Sequence, residues 1–163
     1  MADPVVTRHA IEVEHVRIES QKSFDEVKAA LERMVPQLNT RTLELLGQGE
    51  AASALKLLEA GPDLSIFLAR DHGATLQMAG QKKKALQYEI GNPLTASKMT
   101  RHKLPAALYA PLRVVLYENE AGHAVFEYDR PSSLFGQFGD EQVTAVGREL
   151  DGELERALLH AAE

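Results

Sequence analysis

No cysteine occurs in the sequence, which excludes disulfides, cysteine-type zinc fingers, iron–sulfur clusters and thiol nucleophiles together. Tryptophan is absent too, aromatic residues make up 6%, and 18 Lys+Arg against 24 Asp+Glu leave a formal charge of −6. That balance opposes broad nucleic-acid binding, which needs a net positive face. No apolar run approaches the roughly 18 residues of a membrane span. Met1-Ala2-Asp3-Pro4 lacks the basic and apolar parts of a signal peptide. The expectation is an unprocessed chain away from the membrane, with the cytoplasm as the default compartment.

The strong chemical motifs are missing as well. There is no Gly-x-Ser-x-Gly elbow, no phosphate loop, no dinucleotide fingerprint and no His-Glu-x-x-His zinc motif. His9, His15, His72, His102, His123 and His160 never form an i, i+4 pair or a recognisable ligand set with carboxylates. Neither a metal nor a cofactor is expected.

What is present is ordinary globular material: 163 residues, 44% apolar and 26% charged, enough for one domain over 1–163 with a core from about residue 10 to 160. Alternation over Ala10–Glu19 predicts a strand, and the phase slip between Ile11/Val13 and Val16/Ile18 predicts a bulge near Glu14-His15. Ser23-Phe24-Asp25-Glu26 is a capping box opening a helix that Pro36 stops at about Val35. Thr40 to Leu58, broken by Gly47 and Gly49, predicts two short helices. Leu64–Ala69 predicts a strand with Leu64, Ile66 and Leu68 on one face, and the stretch 72–79 suits either a short helix capped by Asp71 or a hairpin arm. Ala85–Gly91 alternates as a strand, and Asn92-Pro93 starts a short helix. Leu112–Glu118 and His123–Tyr128, separated by Asn119-Glu120-Ala121-Gly122, form a hairpin. Ser132–Gly139 is a polar loop, and an apolar stripe from Val143 to Ala161 marks a long final helix begun near Asp140. Grouped hairpin strands flanked by helices imply an α+β two-layer sandwich, mainly antiparallel, with its helices on one face.

Few residues invite chemistry. Asp71-His72 at a strand end could orient an imidazole as a general base, or Asp71 could simply cap a helix while His72 faces solvent. Gly91-Asn92-Pro93 offers helix-start N–H groups to an anion, but it is equally good turn chemistry. Glu89 and Arg113 are expected to pair across strands, because either would be costly buried alone. Lys82-Lys83-Lys84 reads as a solvated connection, with phosphate contact as the lesser alternative. Leu134, Phe135 and Phe138 must be packed under the last helix or covered by a partner.

Asp71-His72-Gly73, Tyr88-Glu89-Ile90-Gly91-Asn92-Pro93, Ala110-Pro111-Leu112-Arg113-Val114-Val115-Leu116-Tyr117-Glu118, Gly122 and Tyr128-Asp129-Arg130-Pro131 occur in an order and at spacings that resemble the bacterial domain-of-unknown-function family 302. The resemblance runs from the first strand to the final helix. It implies a β-α-β(4)-α domain of the TATA-binding-protein-like type, often dimeric, with no established activity. His72, Asn92, Pro93, Tyr128 and Pro131 occupy the family's motif places. The chain departs from the commoner form in a longer segment before Leu64 and in Arg113 and Arg130. The resulting expectation is a non-catalytic, homodimeric module. Its concave sheet region near His72, Asn92, Arg113 and Tyr128 would hold a small polar or anionic ligand. The alternative is an enzyme in which His72 or Glu89 moves a proton on a small polar substrate, marked by an enclosed pocket containing both. A nucleic-acid partner is the least favoured.

Overall fold

A computed structural model describes residues 2–163. The chain forms five strands: β1 (His15–Glu19), β2 (Ser65–Asp71), β3 (Ala85–Gly91), β4 (Leu112–Glu118) and β5 (Ala124–Asp129). They make one sheet in the order β1-β5-β4-β3-β2, antiparallel throughout. The helices are α1 (Phe24–Met34), α2 (Thr40–Gly47), α3 (Ala51–Glu59), α4 (His72–Thr75), α5 (Pro93–Thr100), α6 (Pro131–Phe135) and α7 (Glu141–Ala162). With α1 and α7 packed on one sheet face, this is the two-layer α+β sandwich that the sequence predicts.

Local chemistry sets the helix starts. Ser23 and Glu26 make the reciprocal capping box, and Asp140 Oδ1 accepts from the N–H groups of Gln142 and Val143 at the head of α7. The apolar stripe of α7 buries Val143, Val146, Leu150, Leu154, Leu158 and Ala161. Beneath it lies the sheet's inner face, where Tyr88 is opposite Val114, Leu116 opposite Phe126, and Val16 opposite Tyr128.

Several boundaries differ from the sequence expectation. The first strand starts only at His15 and pairs with β5 without interruption, so no bulge forms at Glu14-His15. The apolar residues before it lie outside the sheet, which removes the phase conflict. The irregularity sits instead in β2, between Ile66 and Leu68. Backbone bonds from Leu38 N–H to Ile66 O and from Ile66 N–H to Pro36 O grip the strand there. Beyond the bulge Leu68 is 42% exposed, no longer sharing a face with Ile66. The ambiguous 72–79 segment is helical, as α4 and a following 3-10 turn.

The stretch after β5 is also helical rather than an open polar loop. Phe135 is fully buried against α7, and Tyr109 meets its ring edge-on at 6.2 Å between centroids. Gly147 makes this approach possible, since an added Cβ would lie 3.1 Å from Ser132 Cα and 3.3 Å from Phe135 Cβ. Phe138 packs against the same core. Of the two expectations for Leu134, Phe135 and Phe138, packing under the last helix describes the two phenylalanines.

Leu154 is 1% exposed at the centre of the helix–sheet contact. Leu154→Ala should lower the unfolding free energy by about 2–5 kcal/mol in chemical denaturation. A loss below about 0.5 kcal/mol would contradict the seating of α7 described here.

Candidate functional site

The four residues expected to share a ligand are placed in four different settings. His72 is the exposed first residue of α4, and its neighbour Asp71 caps that helix by accepting from Ala74 N–H at 2.9 Å. Asn92 caps α5 through Leu94 N–H at 2.8 Å. Its amide also donates to the carbonyls of Pro62 and Asp63, bracing the turn before β2. Tyr128 lies on the inner sheet face, 5% exposed, and its burial near Glu155 and Asp151 pushes the phenol up to about 12. Arg113 lies on the outer face and is exposed.

These positions do not converge. Asp71 is opposite Leu86 and Ser65 is opposite Gly91, so His72 and Asn92 sit at opposite ends of β3. At the rise of an antiparallel strand, those ends are about 17 Å apart. Glu89 is the register partner of Arg113, as expected, but its carboxylate is held by Arg70 Nη1 at 2.5 Å. Arg113 therefore takes no part in the arginine ion pairs found among the described residues, which use Arg17, Arg41, Arg70, Arg130 and Arg148.

Two motif segments do meet. Gly91-Asn92-Pro93 and Ala110-Pro111-Leu112 line one cleft of about 70 Å³ at the end of the sheet, closed below by Met99 and Phe135. Phe67, the residue at the β2 bulge, lies over Gly91 together with Pro111: a Cβ built at Gly91 would be 3.7 Å from Phe67 Cε2 and 3.5 Å from Pro111 Cβ. Arg113 is the second residue of β4 and projects to the outer face, opposite to the buried Leu112. Asn92 contributes to the same cleft wall while its polar atoms stay committed to the turn. The arrangement can take a short apolar group, and Arg113, next in the chain to the lining residue Leu112, is not itself among the residues that line it. Phe67 was not identifiable from sequence, because only the bulge brings it over Gly91.

A second polar constellation lies on the outer face. His15 Nδ1 is 2.9 Å from Asp129 Oδ1 and Nε2 is 2.7 Å from Glu127 Oε2. Tyr117 OH donates to the other oxygen of Glu127 at 2.5 Å, and Arg17 approaches that oxygen at 3.6 Å. The hydrogen bond that His15 donates to Asp129, then that to Glu127, raises the His15 pKa above 6.5. Tyr117 and then His15 hold the Glu127 carboxyl below its ordinary value. Among the described residues no group of three or more His, Asp or Glu side chains is placed to hold a metal ion.

An antiparallel sheet with helices on one face and a motif-lined cleft at one end defines a small α+β sandwich. The family model described as "Domain of unknown function DUF302" matches residues 40–161, and the chain belongs to that family. The match begins at α2 and leaves β1 and α1 outside it. The crystal structure of an uncharacterized conserved DUF302 protein from Bacillus stearothermophilus is similar in fold. Its TM-score is 0.66 at 15% identity, covering 90% of this chain and 97% of that one. No curated protein matches.

Because the folded-state pKa of His15 is raised, the stability it contributes is fully present below the unfolded value and is lost as pH rises through the folded value. The stability difference between the wild type and His15→Gln should therefore be largest just below pH 6.5 and shrink toward alkaline pH in paired urea titrations. A ring titration at or below 6.5 by NMR would contradict the two carboxylate contacts.

Proposed function

We propose that the domain is a non-catalytic binding module for a small amphipathic acid, held in the cleft where Gly91-Asn92-Pro93 meets Ala110-Pro111. The supporting observation is the mainly apolar cleft walled by these two segments, with the unpaired Arg113 one residue along the chain from the lining residue Leu112. A cavity of about 150 Å³ accepts benzene. One of about 70 Å³ suits a smaller body, such as a short branched alkyl group. Arg113 would meet the acid group with its planar fork of donors. His72 and Tyr128 stand outside this version of the site, and Asn92 shapes it through the turn.

Proton transfer by His72 or Glu89 is less well supported. Glu89 lies near Arg113 with its carboxylate paired to Arg70, whereas His72 is at the far end of β3. Self-association has one observation in its favour. Glu14 O and Ser20 N–H bond toward β5, so the N–H and C=O groups of His15, Arg17 and Glu19 point to the free edge of β1. A second copy added antiparallel about Arg17 would set His15 opposite the partner's Glu19, giving a homodimer with one continuous sheet.

The test is an amide-resolved NMR titration with isovalerate, beside native mass spectrometry of the purified protein before and after unfolding. Shifts should appear at Gly91, Leu112 and Arg113, and Arg113→Gln should weaken binding about tenfold, equivalent to about 1.4 kcal/mol. Absence of shifts at millimolar acid, together with no released small molecule, would remove the ligand proposal. A purely monomeric mass would remove the dimer.

A further inference from the structure

At the other end of β3 lies a larger cleft of about 560 Å³, between α1, α4 and the segment leading into β3. Its volume is within the range of about 300–1,000 Å³ typical of small-molecule sites. Lys28, Lys82, Lys83 and Lys84 all line it, with Asp25, Asp71 and Glu118 as the carboxylates. These acids are occupied. Asp71 caps α4, Asp25 holds Lys84 Nζ at 2.6 Å, and Glu118 is 3.8 Å from the same ammonium. Lys28 is paired to Glu32 at 2.7 Å. Among the described residues the lysine ion pairs use only Lys28 and Lys84, which leaves the exposed Lys82 and Lys83 ammonium groups uncompensated in a chain of net charge −6.

The lysine segment is also fixed in place. Gln81 N–H bonds Leu76 O and Glu118 N–H bonds Lys84 O, while the Lys83 carbonyl lies so close to Gly73 that a side chain there would collide with it. A solvated connection needs none of these ties. They hold the backbone of the run against α4 and β4, so that the ammonium groups are presented around the cleft with part of their ordering already done.

From this geometry we infer a second ligand site, in which Lys82 and Lys83, flanked by Lys84 and Lys28, bind a small multiply charged phosphate ligand. The donor set favours phosphate over a carboxylate. No arginine lines the cleft, so planar bidentate recognition is missing, whereas lysines act as point charges on a tetrahedral, multiply charged anion. The acidic remainder of the chain disfavours a long polyanion, which would extend beyond the cleft. The site is independent of the acid-binding cleft beside Arg113.

Inorganic pyrophosphate is the probe, followed by amide NMR and calorimetry at low salt. Shifts are expected at Gly73, Ala74 and 82–85, and the Lys82→Gln/Lys83→Gln double variant should weaken binding at least about tenfold, with unchanged circular dichroism. Lys103→Gln, an exposed lysine elsewhere, and Arg113→Gln should leave it unchanged. Shifts outside the cleft, or equal affinity in the double variant, would overturn the inference. So would a single-stranded oligonucleotide displacing pyrophosphate at lower concentration, since the face would then be one for nucleic acid.

Discussion

The seating of α7 on one face of the sheet constrains everything else in the molecule. Its stripe from Val143 to Ala161 and the α1 residues Val27 and Leu31 share one core with Tyr88, Val114, Leu116, Phe126 and Tyr128. Burial of side chains this size is worth about 1.5–3 kcal/mol each before the entropy of ordering them is subtracted. With the inner face filled, strand alternation sends every second residue to the outer face, and that face must stay compatible with water. The polar arrays follow from this parity: His15 and Arg17 beside Glu127, and Arg70 beside Glu89.

That parity also explains how much was legible in the sequence. The capping box at Ser23, the Asn92 cap and the α7 stripe each depend on neighbours within a few turns, and the structure forms them where the local pattern puts them. Leu112, Val114 and Leu116 alternate cleanly, which already sends Arg113 outward. Phe126 and Tyr128 share a phase as well, which already sends Tyr128 inward. Arg113 and Tyr128 could not therefore line one pocket, and the strand pattern contained that information. The β2 bulge was different. Ile66, Phe67 and Leu68 are all apolar, so no sequence phase separates them, and the grip of Pro36 and Leu38 on Ile66 is a long-range contact. The position of Phe67 over Gly91 depends on it.

The short elements after β5 were obscure for a related reason. Ser132 to Gly139 has the composition of a loop, yet Asp151 on α7 accepts from Ser132 N–H at 2.8 Å and from Arg130 Nε at 3.0 Å. Asp151 is only 7% exposed, so losing either donor would leave a buried carboxylate oxygen without its partner. That contact ties the β5 exit to the helix and lets Phe135 enter the core beside Gly147. An acid within the otherwise apolar stripe of the helix was the available signal, because a buried carboxylate requires a partner supplied from elsewhere in the chain.

Both proposed sites lie near positive charge that the fold leaves unpaired, not among the paired groups of the sheet's open face. On that face the carboxylates of Glu89, Glu127 and Asp129 already accept from Arg70, Tyr117 and His15, with Arg17 3.6 Å from Glu127, so a ligand would have to displace bonds as good as those it could offer. Near the two clefts, positive charge is left without a carboxylate partner. Arg113 is free because Arg70 has taken Glu89. Lys82 and Lys83 are free because Asp25, Asp71 and Glu118 are committed to Lys84 and the α4 cap. Both cases rest on the same physical distinction: a charge already paired within the fold gives little net gain on binding, while a positioned, unpaired one beside a cleft retains its full capacity for an anion.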